Sequence, residues 1–314
     1  MTDIRLIYHI QKSKCYSCVW MVVDSINTHY WMEFPLNNIE KLKVLAAEFQ
    51  ANSEHQVWSG QVGCTDGVCF GMTNPGRAVV NASKYHVKRK NEFALLCIAT
   101  CDQARRIMAY DISMTPTTHD SLAWANSSLG MAVNNGRLPK EFHLCGDFAF
   151  NQSESMMVPG GTENLDAYDF VQSSQRMPIE CTFGMLVRRW GVVWRPLSCR
   201  FDRRAPLVGA LMRLHNVCVE MKISDDFAQE QDGMALIQPG RWAKTPRFDR
   251  KGRPVDFLTV ETDAEGRPPP QNPAANRNRK RDELVASIRR AGIQRPQLPR
   301  GVHKKQKRWS SRKN

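Results

Sequence analysis

The stretch Ser173–Trp194, SSQRMPIECTFGMLVRRWGVVW, decides how the rest of the chain is read. Ile179, Phe183, Leu186 and Trp190 recur at i, i+4, i+7 and i+11, the spacing of one helical face. Glu180 stands beside that face among apolar and basic neighbours, and Pro178 lies two residues before it. An acid just after a proline also suits the first turn of a helix, where it meets the positive end of the helix dipole. If the helix packs across a sheet, acids on the strands beneath it can converge on Glu180.

Working outward, Ala205–Glu220 (APLVGALMRLHNVCVE) reads as a further helix buried over much of its circumference. Upstream, residues 151–172 are rich in Gly, Asn and Ser and read as a connection. Glu141–Cys145 (EFHLC) is a short strand running into Gly146-Asp147. Phe93–Cys101 and Arg106–Met114 are strand-like runs joined by Asp102–Arg105, a compact hairpin. Gln56–Phe70 has β-favouring residues and reads as a strand reaching Asp66-Gly67. Between hairpin and short strand, Thr118 or Asp120 can cap a short helix. The order strand, strand, strand, helix, strand, variable segment, helix predicts an α/β fold with the mixed sheet of the ribonuclease H-like class.

Two helices precede it. Val19, Val22, Val23 and Ile26 form an apolar face within 13–28, which suits a core helix or a helix-turn-helix remnant. Ile39, Leu42, Leu45, Ala46 and Phe49 form a second face, with Asn38 as N-cap. The expected organisation is an N-terminal helical region at 1–55, a nuclease-like domain at 56–225 and a tail at 226–314.

The formal net charge of +13 is unevenly placed. Residues 240–314 carry 21 Lys and Arg against 7 Asp and Glu, so +14, and residues 1–239 carry 23 against 24, so −1. A neutral body with a basic arm points to a polyanionic partner rather than a uniformly basic surface. The tail holds 8 of the 17 prolines, which predicts disorder with one short helix at Asp282–Ala291. Its clusters at Arg277–Arg281 and at Lys304, Lys305, Lys307 and Arg308 suit nuclear import or nucleic acid, and equally a solvated charge run. Met1–Ile10 lacks the apolar segment of a signal peptide, and no run is long enough to span a membrane. The 10 cysteines are therefore expected to be reduced, most as small buried hydrophobes; Cys15-x-x-Cys18 lacks a second ligand pair at zinc spacing.

Three acids fall on the elements that this order brings together: Asp66, Asp147 and Glu180. Taken singly, each has a plainer role, as turn, cap and first-turn acid. Together they suit two Mg2+ or Mn2+ ions in phosphodiester chemistry, because hard cations take oxygen ligands and close carboxylates repel without them. His119-Asp120 opens the predicted first helix, and Asp120 is a further candidate ligand. Arg176, Arg188 and Arg189 are candidates for phosphate contacts; Arg176 and Glu180 can also pair at i, i+4.

These motifs resemble the PIF/Harbinger-type transposases, DDE superfamily endonucleases that include the Harbinger transposase-derived nucleases. GCTDGVCF resembles the family's DGTH strand, HLCGDFAF its GDSAY segment, and SSQRMPIECTFGMLVRRWGVVWRPL its R-x-x-x-E-x-x-FGxLKxRW helix. The block from Tyr85 to Trp124 resembles RKG…CDADGRF…GSxHDS, and LMRLHNVCVE the closing LHNLC helix. The resemblance covers roughly residues 10–220. It implies a metal-dependent nuclease with strand-transfer activity on terminal inverted repeats, nuclear, acting on DNA, able to oligomerise, and aided by a separate Myb-like DNA-binding protein. It carries the triad onto Asp66, Asp147 and Glu180, and its HD aspartate onto Asp120. The chain departs at Val68 and Cys69, where the family has Thr and His, and at Phe148 and Phe150, where it has a small residue and Tyr. Those departures leave an alternative: a domesticated, catalytically weak DNA-binding or scaffold protein on the same fold.

Overall fold

A computed structural model describes residues 9–223, 247–248, 254–255 and 278–296. Its main sheet is built around β1 (Gln61–Met72), which runs between β3 (Glu92–Cys101), antiparallel, and β5 (His143–Cys145), parallel. β2 (His86–Val87) and β4 (Ile107–Asp111) both pair with β3, and β6 (Met156–Met157) extends the other edge in parallel with β5. The sheet is thus mixed, mostly antiparallel with a parallel flank, consistent with a ribonuclease H-like fold. The expected neighbours, first long strand and the strand before Asp147, do lie side by side. A central strand covered on both faces has few polar positions, which is why β1 is buried almost throughout.

On one face lie α5 (Asp166–Arg189) and α6 (Phe201–Glu220), whose Ile179, Phe183, Leu186, Val208 and Met212 pack on Cys64, Val68, Phe70, Leu95 and Cys97. Side chains of this size contribute about 1.5–3 kcal/mol each when fully buried. On the other face, α3 (Asp120–Asn126), α4 (Ser128–Asn134) and Leu42 and Leu45 of α2 (Ile39–Ala51) cover Val62, Leu96, Ile98 and Leu144. Asn216 fastens α6 to β4 by accepting from the Ile107 N–H (2.8 Å) and donating to its carbonyl (2.7 Å).

Several expectations are corrected. The segment 151–172 is not all connection, because α5 begins at Asp166 and Pro178 lies in its interior. Pro178 removes one N–H donor from the helical ladder, yet the helix runs on, held by Ile179, Cys181 and Phe183 in the core. The expected single helix after the hairpin is two, α3 and α4, and β2 and β6 were not foreseen.

The second N-terminal helix forms as expected, with Asn38 accepting from the Lys41 N–H at 3.0 Å. The first, α1 (Lys12–His29), does not bury the expected face: Val23 is covered, but Val19 and Val22 are exposed. It lies along α6 through polar contacts, with Asn27 donating to the Pro206 carbonyl and Arg203 pairing with Asp24.

In the tail, the short helix expected at Asp282–Ala291 forms, beginning three residues earlier. There α7 (Arg279–Arg290), capped by Asn278, inserts Leu284 and Ile288, with Ile293 after it, among Trp58, Cys145, Met157, Tyr168 and Val171. Lys304, Lys305, Lys307 and Arg308, like Arg277, lie outside the described residues.

Among the described residues no helix is long and apolar enough to cross a membrane. Five cysteines, Cys64, Cys97, Cys101, Cys145 and Cys181, are buried, Cys15, Cys69, Cys199 and Cys218 are half-buried, and Cys18 is exposed on α1.

Candidate functional site

Register explains why Asp66 and Asp147 meet. Cys64 and Cys145 are partners in the parallel pair β1–β5. Asp66 lies two residues further on within β1 and Asp147 two residues past the end of β5, which brings the two carboxyls near enough for Asp147 to raise Asp66. Asp66 is therefore mid-strand, not at a turn. It is 7% exposed and Asp147 4%. The Gly67 N–H donates to Asp66 Oδ1 (2.8 Å), and the Ala149 N–H to Asp147 Oδ1 (2.9 Å), which fixes each carboxyl from its own backbone. Asp147 Oδ2 is buried with no hydrogen-bond partner.

The third acid arrives on α5. Where Pro178 interrupts the helical ladder, the helix is tied to the sheet: the Gln175 carbonyl accepts from Gln61 Nε2 and from the Cys64 thiol, both at 3.0 Å. The next residue, Arg176, turns its guanidinium into the carboxyls. Nη1 lies 3.1 Å from Asp66 Oδ2 and Nη2 lies 2.5 Å from Glu180 Oε1. Its side chain is 16% exposed and its Nε is buried without an acceptor. Glu180, at 34%, opens toward solvent.

Asp120 is the first residue of α3, after His119, whose ring caps the helix by accepting from the Ser121 N–H. The expected cap at Asp120 or Thr118 is thus supplied by His119. The Asp120 carboxyl lies against Gly67: a Cβ there would stand 2.9 Å from Oδ2 and 3.1 Å from Cγ. That glycine is the residue missed in the sequence. An isolated glycine inside a strand marks a close approach, but the pair Asp66-Gly67 reads as a turn when the strand's continuation is not known.

The electrostatics show an excess of negative charge. Burial first, and then the neighbouring Asp147, push the Asp66 carboxyl up to about 8, despite Arg176 and the Gly67 N–H, with Asp120 adding to the rise. Burial also raises Asp147, and Glu180 adds to it, against the Ala149 N–H, Arg176 and His119. One guanidinium does not balance these acids.

Among the described residues no three His, Cys, Asp or Glu side chains are arranged as they stand to hold a metal ion, and Arg176 pairs with two of the acids. The donor set nevertheless fits a hard divalent cation: carboxylate oxygens alone, one of them buried and unpartnered, with a charge deficit that a cation would relieve.

Arg188 and Arg189 lie elsewhere. They are eight and nine residues past Glu180, about 12 Å further along the helix. Arg188 is exposed, and Arg189 Nη1 is 3.1 Å from His215 Nδ1. The departures from the family pattern have structural employment. Val68 and Phe150 are core residues, Phe150 edge-on to Trp124, and Phe148 lies over Gly161.

Residues 65–216, just under half of the chain, match the family model of a DDE superfamily endonuclease. No curated protein and no solved structure matches the chain. The match supports the superfamily and takes in Asp66, Asp120, Asp147, Arg176 and Glu180.

Proposed function

We propose that the protein is a metal-dependent DDE nuclease of the PIF/Harbinger transposase type that breaks DNA phosphodiester bonds. The supporting observation is the convergence of buried Asp66 and Asp147 with Glu180 in a segment that matches the DDE endonuclease model. Asp66, Asp147 and Glu180 would hold Mg2+ or Mn2+, two ions in the full mechanism, with Asp120 beside them. When bound, such cations activate the attacking oxygen and stabilise the leaving one. The chain's own part is preparation. Backbone N–H groups orient the two aspartates, the sheet and α5 keep water from their buried side, and Glu180 presents the open side to a substrate.

DNA is then the substrate. Arg188, Arg189 and the basic cluster Lys304, Lys305, Lys307 and Arg308 are proposed phosphate contacts outside the centre. A nuclear location, a Myb-like accessory protein and an oligomeric working form follow from the family resemblance and are proposed with it.

A second reading, a domesticated DNA-binding or scaffold protein, is favoured by one observation: Arg176 already neutralises part of the acid cluster. Nicking of supercoiled plasmid in Mg2+ or Mn2+, by wild type and Asp66→Ala, separates them. The nuclease reading expects nicking that Asp66→Ala abolishes. No nicking by either protein sinks it, and nicking that survives the substitution moves the site elsewhere.

A further inference from the structure

Arg176 is held in an unusual way. Two of its nitrogens bond acids 110 residues apart and four residues apart, while the third is buried and empty-handed. A buried ion pair repays its desolvation only when its remaining donors and acceptors are satisfied. Here Arg176 Nε and Asp147 Oδ2 are both unsatisfied, so the guanidinium is a serviceable but incomplete partner for the cluster. It also has somewhere to go. Arg176 and Glu180 share one helix face a turn apart, and Glu180 is the open side of the site. A guanidinium leaving the acids in that direction meets whatever approaches them. Its planar fork matches phosphate oxygens.

We propose that Arg176 is a displaceable counter-ion: it pairs with Asp66 and Glu180, two of the residues that would hold a divalent cation, and would leave them for a DNA phosphate when they do so. The proposal rests on the metal-nuclease reading above. Arg176 is a positioning residue in this scheme, acting through the acids and then through the backbone of the DNA. Two consequences follow. The arginine competes with metal, so the DNA-free chain loads metal weakly. A phosphate that engages Arg176 removes the competitor, so metal and DNA bind with positive coupling, which is necessarily reciprocal. The acid centre is then charged with metal chiefly when DNA is present.

Two measurements on the full chain test this. Mn2+ binding is followed by electron paramagnetic resonance without DNA, in wild type, Arg176→Met and Arg176→Lys. Arg176→Met is expected to bind Mn2+ roughly tenfold to hundredfold more tightly than wild type, the range that one charge-assisted hydrogen bond spans. Arg176→Lys, which keeps the charge, is expected to return toward wild-type weakness, an effect that lost packing alone would not produce.

The second measurement needs no variant. Phenylglyoxal modification of the Arg176 peptide in wild type, read by mass spectrometry, should be slow without metal, faster with Mn2+, and slow again when a short duplex is added to the Mn2+ form. Equal Mn2+ affinity in wild type and Arg176→Met, or modification indifferent to Mn2+, overturns the proposal and leaves the nuclease reading standing. No Mn2+ binding by any of the three proteins overturns both.

Discussion

Replacing Asp66 with Asn should abolish the pH dependence of stability contributed by this position, and the sign of the dependence that is lost distinguishes the cluster from an ordinary set of surface acids. Asp66 is raised to about 8 by burial and by Asp147, whereas an unfolded chain holds an aspartate near 3.9. Between those values the folded chain keeps a proton that the unfolded chain releases. Stability from this group is therefore fully present below about pH 4 and is lost as pH rises through 8. The gap corresponds to roughly 5 kcal/mol at its full extent. Asn is neutral at every pH and of the same shape, so it escapes that loss.

In EDTA, Asp66→Asn should differ from wild type by a small constant near pH 4. It should then gain on wild type steadily, and exceed it by several kcal/mol at pH 8. Urea unfolding at half-unit steps from pH 4.5 to 8.5 measures the difference, and slopes common to both proteins cancel. His143 is one such common term: its ring is buried beside Trp58 with neither nitrogen hydrogen-bonded, and burial lowers it to about 3. It costs both proteins stability as pH falls below about 6.5. Adding Mn2+ at pH 8 should recover wild type, because ligand bound only to the folded state stabilises it, by about 2.7 kcal/mol at a hundredfold excess over Kd. Asp66→Asn should recover far less. Parallel pH curves for the two proteins would refute the raised Asp66 carboxyl and the charge imbalance built on it.

Gly67→Ala should leave folding within about 1 kcal/mol of wild type, since the added methyl meets only the end of the Asp120 side chain. It should slow nicking tenfold or more if the Asp120 carboxyl belongs to the centre; an unchanged rate removes Asp120 from it. Leu284→Ala should cost about 2–5 kcal/mol in urea or thermal unfolding, as for other buried leucines. A loss under about 0.5 kcal/mol would mean that α7 does not dock where described. Changing Lys304, Lys305, Lys307 and Arg308 together to Gln should reduce the slope of log affinity against log salt for DNA by up to about 3.6, at 0.9 per phosphate contact. An unchanged slope would show that the body binds DNA without that cluster.

What could be seen in advance followed from local pattern. β1, β3 and β4 are runs of strand-forming residues punctuated by turns, and Asn38 followed by an apolar face is a helix start whatever surrounds it. The acids were legible as candidates because they sit on elements that one sheet order brings together. What could not be seen depends on partners distant in sequence. Val19 and Val22 have helical spacing, but spacing does not say that α6 would meet α1 through Asn27 and Arg203 instead. Leu284 and Ile288 stand among charged residues in a proline-rich tail, and only Trp58, Tyr168 and Val171 make them core. β2 and β6 have two residues each, too few to carry a period. Pro178 looked like a helix start because a proline inside a helix costs about 3 kcal/mol, and the burial that offsets this cost comes from β1 and β3.

Pro178 also clarifies why the site is built on this helix. By removing one rung from the ladder it marks the place where α5 takes its hold on the sheet, through Gln61 and Cys64 on the Gln175 carbonyl. That hold is immediately before Arg176 and one turn and a residue before Glu180, so the two charged side chains are positioned by the sheet that carries Asp66. The surroundings are rigid and apolar: Ile179 and Phe183 are buried on one side of the helix, and Cys145 and Val171 lie under the other. A rigid apolar frame around too many acids is unfavourable by itself, since both aspartates are driven toward protonation there. The cores and the docked α7 supply the stability that keeps the acids together without a divalent cation. Relaxing the frame should therefore let the acids separate, lowering the Asp66 carboxyl toward its ordinary value before the fold itself is lost. The same rigidity that strains the metal-free chain is what would leave the acids already placed for a cation.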